Sequence, residues 1–135
     1  MSRPVPVPDA TSAPYWDATS RGELALAHCA HCDAIAHPPA PTCPNCGSTE
    51  PNYAFKPVNG SGELRSWTVI RSSFLPGFDD DLPFVLADVA LDGTDDVRLV
   101  GRLLDGENAS LRIGARVTLA FERVGNHAVP AFALA

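Results

Sequence analysis

Four cysteines stand in two pairs, Cys29-Ala30-His31-Cys32 and Cys43-Pro44-Asn45-Cys46, with ten residues between the pairs. Two intervening residues let both thiolates of a pair wrap one edge of a tetrahedral ion, and a second pair completes the tetrahedron. Cys29, Cys32, Cys43 and Cys46 are therefore the expected ligands of one structural metal ion. Zinc is the default, and four thiolates at this geometry also hold iron in a rubredoxin-like site. Gly47 follows the second pair and Asp33 the first, at the places where a left-handed residue turns backbone amides toward the sulfurs. A closed shell of four thiolates has no open position, so the ion should neither activate water nor bind substrate. Its expected work is to fold a segment too small to bury a core alone, and structural zinc contributes on the order of 10 kcal/mol to such modules.

The elements that must position these thiols are short. Leu24, Leu26 and His28 alternate with smaller residues, and Ile35 lies in a stretch that ends at Pro38-Pro39, so each cysteine-flanking segment reads as a ribbon arm. His28, His31, His37 and His127 read as ordinary ribbon or surface histidines, because the cysteine quartet already satisfies the ion. Ahead of the ribbon, Pro4, Pro6, Pro8 and Pro14 give residues 1–14 the composition of a disordered tail. Pro14 can open a short helix through Tyr15, Trp16 and Asp17 that Arg21-Gly22 would end, so residues 15–59 form the helix and ribbon.

From Gly60-Ser61-Gly62 onward, longer alternating runs without a helical period replace this pattern, and residues 60–135 read as all-β. Five strands are expected, over 63–71, 84–92, 97–104, 115–124 and 128–134, closing into a small barrel. Val97, Leu99, Gly101 and Leu103 share one face, and Gly101 permits the bend that a small barrel needs. Val85, Ala87, Val89 and Leu91 form the inner face of the second strand. Phe84 and Leu86 then stand on the other side, where polar groups would be expected.

Composition narrows the function. The 135 residues carry a net charge of -6, and Lys56 is the one lysine among ten basic residues, a balance that argues against a general nucleic-acid role. No apolar run reaches the length needed to span a bilayer, and four cysteines in a reducing cytosol are expected to hold a metal rather than form disulfides, so a soluble cytoplasmic protein is the expectation. There is no Gly-x-Ser-x-Gly elbow, phosphate loop, dinucleotide fingerprint or His-Glu-x-x-His motif, and no catalytic residue is expected.

Both cysteine pairs, Tyr15-Trp16 ahead of them, Pro38-Pro39 between them, Gly62-Glu63-Leu64-Arg65-Ser66-Trp67, Leu82-Pro83-Phe84-Val85, Ile113-Gly114-Ala115-Arg116-Val117 and Val129-Pro130-Ala131-Phe132 together resemble the DUF35 family. The resemblance implies a mostly β fold, with a short N-terminal helix and rubredoxin-like zinc ribbon followed by a five-stranded OB-fold barrel. It further implies a non-catalytic accessory subunit in a hetero-oligomer with a thiolase-superfamily enzyme, such as a thiolase, an acyltransferase or a lipid-transfer-like steroid side-chain aldolase. Other members of that family work with MaoC-like enoyl-CoA hydratases. An iron-binding electron carrier and a nucleic-acid-binding OB module are the competing readings of the same residues.

Two sets of side chains are candidates for such a role. Arg65, Trp67 and Arg71 would share one face of the first barrel strand, and arginines beside an aromatic suit the phosphates and adenine of acyl-CoA. Phe74 and Phe78 lie on the long loop between the first two barrel strands, with Phe84 beside it, and aromatic anchors of this kind suit a partner interface.

Overall fold

The computed structural model describes residues 3–135. These divide into two compact units, one of residues 7–59 and one of residues 60–135 together with residues 3–6.

The first unit opens with helix α1 (Ala13–Ser20), which has Pro14 in its first turn, where a missing amide costs nothing. Asp9 and Ser12 prepare this start by exchanging bonds: the Ser12 amide donates to Asp9 Oδ1 at 2.7 Å, and the Asp9 amide donates to Ser12 Oγ at 3.1 Å. The stretch expected as a tail is thus already turned at Asp9. Tyr15 and Trp16 stack at 5.0 Å, and Tyr15 meets His37 edge-on at 5.5 Å. Burial pushes the Tyr15 phenol up to about 12 and the His37 imidazole down. Strands β1 (Ala25–His28), β2 (Ile35–Ala36) and β3 (Ala54–Pro57) form a three-stranded antiparallel sheet with β1 in the centre. Leu24, Ala25, Leu26 and Ala27 are all buried, which is why β1 takes the middle place.

The second unit is a closed barrel of β4 (Gly62–Ile70), β5 (Phe84–Leu91), β6 (Arg98–Leu103), β7 (Arg116–Val124) and β8 (His127–Leu134), in the order β4-β5-β6-β8-β7. All ladders are antiparallel except β6 with β8. Val85, Ala87, Val89 and Leu91 from β5 and Leu99 and Leu103 from β6 are buried on the face that alternation assigns them, and Val117 from β7 and Phe132 from β8 complete the core.

The barrel closes through the first residues of β4, where Gly62 and Glu63 pair with Val117 and Arg116. Immediately after, the ladder between β4 and β5 slips between Leu64 and Ser66, so that Arg65 is the extra residue of a bulge. The bulge lets one strand serve two neighbours: its first part pairs with β5 and β7, and its second part follows β5 alone. It also resets the side-chain alternation. Leu64 is inward opposite Val89, Ser66 is outward opposite Asp88, and Trp67 returns to the inner side opposite Ala87.

Gly101 lies where β6 crosses β8. A Cβ there would sit 3.0 Å from the Pro130 carbonyl oxygen and 3.2 Å from the Phe132 ring, so any side chain would have to push the two strands apart by a few tenths of an ångström. Gly101→Val should lower the unfolding free energy by about 2 kcal/mol, since overpacking against backbone cannot relax through a rotamer change. Urea titration followed by far-UV circular dichroism reads the shift directly.

Candidate metal centre

The two cysteine pairs sit on two turns of the same construction. In the first, the Cys29 amide donates to the Ala34 carbonyl at 2.9 Å and the Asp33 amide donates to the Cys29 carbonyl at 2.8 Å. In the second, the Cys43 amide donates to the Ser48 carbonyl at 2.9 Å and the Gly47 amide donates to the Cys43 carbonyl at 3.0 Å. Each turn needs a left-handed residue at its fifth position, and Asp33 (φ 61°) and Gly47 (φ 77°) supply it. Asp33 bears this conformation while its carboxylate accepts from Lys56 Nζ of β3 at 2.8 Å.

The turns bring the four Sγ atoms within 4.8 Å of one another, the single such cluster of metal-ligating side chains among the described residues. Cys29 Sγ lies 3.8 Å from Cys46 Sγ, and Cys32 Sγ lies 3.7 Å from Cys43 Sγ. A tetrahedral ion with metal–sulfur bonds of about 2.3 Å requires sulfurs about 3.8 Å apart, whereas a disulfide would hold them at about 2.05 Å. The spacing therefore fits four thiolates around one ion. Cys29 and Cys43, the first member of each pair, are buried, and Cys46 is exposed.

Polar groups around the sulfurs favour the thiolate. The Asn45 side chain, then the Ala34 backbone, bring the Cys32 thiol down to about 6, and the Cys46 and Asn45 backbone hold the Cys43 thiol low. At Cys46 the Ser48 backbone pulls the same way, but desolvation and the neighbouring thiols outweigh it and push the group up to about 11. Four negative sulfurs at this distance repel one another, and a cation among them removes that repulsion. Ligand spacing alone does not single out Asn45, although its place inside the second pair puts it beside the metal site.

The neighbouring histidines are otherwise engaged. His28 Nδ1 donates to the Leu26 carbonyl at 2.8 Å and His31 Nε2 to the Glu50 carbonyl at 2.9 Å, so the ligand set is cysteine throughout.

Arg65, Trp67 and Arg71 do not form one site. The bulge puts Arg65 and Trp67 on opposite sides of β4, and Arg71 lies beyond the strand's last residue. Arg65 lies 3.9 Å from Asp96 and Arg71 3.6 Å from Glu107. Simple alternation placed the trio on one face, and the extra residue overturned it. The three phenylalanines part in a similar way. Phe74 is fully exposed, whereas Phe84 is only 9% exposed beneath Phe78 (5.8 Å between rings) and the Arg102 guanidinium (5.4 Å). Phe84 is thus a packed residue of the barrel's outer face rather than an available anchor.

The cysteine cage leads to a direct expectation: the purified chain binds one metal ion, and Cys43→Ser loses it together with the ordered ribbon, because an open fourth position exposes the ion and removes a folding ligand. Metal analysis gives the stoichiometry. Circular dichroism should retain the barrel's β signal, since none of its strands supplies a ligand.

Comparison with known proteins places this geometry. Residues 16–52 match the ChsH2 rubredoxin-like zinc ribbon domain, and residues 55–122 match the ChsH2 C-terminal OB-fold domain. A solved structure titled "Ltp2-ChsH2(DUF35) aldolase" superposes with a TM-score of 0.80 at 29% identity, covering 96% of this chain and 98% of that one. A curated protein of Thermomonospora curvata, "Probable enoyl-CoA hydratase alpha subunit", is 32% identical over 117 residues, which is 87% of this chain and 35% of that protein. The chain thus spans about a third of the length of that relative. With both domain types matched in order, and with the cysteine cage and closed barrel that they require, the chain belongs to the DUF35 family of ChsH2-type zinc ribbon and OB-fold proteins.

Proposed function

We infer that this protein is a non-catalytic, zinc-containing accessory subunit that assembles with a thiolase-superfamily enzyme acting on acyl-CoA, an Ltp2-type aldolase being the first candidate. The observation that carries the reading is the likeness, over nearly the full length of both chains, to a chain of the Ltp2-ChsH2(DUF35) aldolase. The residues agree with it. The one cluster of metal-ligating side chains among the described residues is the four-cysteine shell, which leaves an ion no position for water or substrate. Zinc is the metal that such shells hold in structural ribbons, and it adds folding energy without redox chemistry. Iron in the same cage would announce itself by visible absorption.

Contact with the enzyme falls to the exposed apolar residues near the end of β4 and in the loop after it: Trp67 at 38% exposure, Leu75 at 50%, and Phe74 with its ring wholly in water. The second part of β4 also offers a strand edge paired only to β5. Recognition of CoA phosphates falls to the partner in this reading, because Arg65 and Arg71, the arginines that suited it in the sequence, stand apart and face Asp96 and Glu107. The same pairing, with a net charge of -6, speaks against a nucleic-acid module.

Partnership with an enoyl-CoA hydratase is the second reading, favoured by the name of the Thermomonospora relative, two thirds of which lie outside the matched region. Coexpression with each candidate enzyme, followed by size-exclusion chromatography with light scattering, separates the two. A stable complex with the aldolase is expected, with Phe74→Ala weakening it by about thirtyfold, the loss of about 2 kcal/mol that accompanies a truncated aromatic anchor. Zinc content and thermal unfolding of that variant should match the parent. Failure to assemble with any thiolase-superfamily enzyme, or turnover of acyl-CoA by the purified chain alone, would sink the reading.

A further inference from the structure

On the outer face of the barrel, Phe84 and Leu86 of β5, Val100 and Arg102 of β6, Glu122 of β7 and Val129 of β8 line a cleft of about 230 Å³, and Arg3 and Pro4 lie along it as part of its wall. This face explains the apolar residues that the alternation of β5 turns away from the core. Arg3 is its centre. One guanidinium nitrogen lies 2.5 Å from Asp81 Oδ2, the other lies 3.5 Å from Glu122 Oε1, and the plane covers the Phe78 ring at 4.9 Å. Arg102 approaches the same two carboxylates from β6, at 3.6 Å from Asp81 and 3.3 Å from Glu122.

The charge count of this seat is instructive. Asp81 and Glu122 carry two negative charges and Arg102 one positive, so without Arg3 the seat keeps one uncompensated negative charge beside an aromatic face. One planar guanidinium satisfies both features at once, the two carboxylates by its fork and Phe78 by its face, whereas a compact ammonium lacks the fork that spans both carboxylates while it covers the ring. The side chains of Arg3 and Glu122 are each 18% exposed, so the pairing is partly shielded from water. Downstream, Val5 lies over Gly125 in the β7–β8 turn, where a Cβ on the glycine would come 2.9 Å from Val5 Cγ1. Pro4 and Pro6 hold the segment near an extended conformation and reduce the entropy lost when it lies down.

We propose that the seat of Asp81, Glu122 and Phe78 beside this cleft is a receptor for an arginine-led, proline-flanked extended segment, and that Arg3–Pro6 occupies it in cis as a strap along the outer face of the barrel. The inference is independent of the enzyme partner, whose proposed contact uses Trp67, Phe74 and Leu75. Tethering keeps the strap at an effective concentration on the order of millimolar, so a modest intrinsic affinity suffices to keep the seat filled.

The test uses the full chain carrying Arg3→Ala and a capped peptide of sequence Arg-Pro-Val-Pro, followed by amide nuclear magnetic resonance. The substitution should shift the resonances of Phe78, Asp81, Gly101 and Gly125 and leave those of the zinc ribbon in place. The peptide should return the shifted resonances toward their parental positions in a saturable manner. It should bind the variant at least about tenfold more tightly than the parent, whose own strap competes. Adding Asp81→Asn, or raising the salt from about 50 to about 500 mM, should weaken peptide binding severalfold, and Arg3→Lys should behave more like Arg3→Ala than like the parent. Resonances unmoved by Arg3→Ala would show that the strap is not seated. A peptide that binds parent and variant alike, or moves none of these resonances at millimolar concentration, would show that the seat is no receptor. Either result overturns the proposal.

Discussion

Four cysteine sulfurs gathered within 4.8 Å, too close for all to be ionised without a cation between them, are the constraint around which the ribbon is organised. Two turns of identical hydrogen bonding hold the sulfurs at tetrahedral spacing, and the three-stranded sheet of two to four residues per strand has too little apolar surface to force that arrangement by itself. A cation in the cage converts the repulsion into cohesion. The aromatic stack of Tyr15 and Trp16 and the Asp33–Lys56 ion pair then refine a fold that the metal makes possible, since a pair this exposed to water contributes little by itself.

The barrel meets a different constraint, that of closing five strands with no edge left over at the seam. It does so by pairing the first part of β4 with both β5 and β7 and the rest with β5 alone, the Arg65 bulge being the pivot, and by letting β6 and β8 approach over Gly101. The buried part of the inner face, from Leu64 through Phe132, is apolar and closely packed, so the barrel serves as a scaffold and binding is left to its outer surfaces and loops.

Much of this was legible in the residues. The cysteine cage follows from spacing alone, because a Cys-x-x-Cys pair has few other ways to place two sulfurs on one ion, and the left-handed turns at Asp33 and Gly47 follow from which residues tolerate positive φ. The five barrel strands and the inward set of Val85, Ala87, Val89 and Leu91 follow from strict period-2 alternation. What alternation could not reveal was the bulge: nothing in Leu64-Arg65-Ser66 marks an extra residue, and a one-residue slip sends Trp67 to the other side of the strand. Phe84 was misplaced for a related reason. Its outward direction follows from period-2 alternation, but its cover comes from Phe78 and Arg102, contacts that no local pattern encodes. The strap was hidden by distance, since a proline-rich stretch reads as a tail until a carboxylate 78 residues away is seen to hold its arginine.

That separation carries a consequence for the order of events on the ribosome. At about 5 to 20 residues per second, Asp81 is made roughly 4 to 16 s after Arg3, and Glu122 later still. All four cysteines and their turns emerge first, so the cage can be loaded while the barrel is still being made. The seam of the barrel waits for β7, and β8 follows it. The arm therefore spends its first seconds with nothing to hold it, and its docking, like the β4–β7 seam, belongs to the last stage of maturation, because each joins chain segments far apart in sequence. A nascent chain stalled before β7 would present a metal-loaded ribbon, a free arginine and an unclosed sheet, three states that quality control could tell apart from the finished molecule.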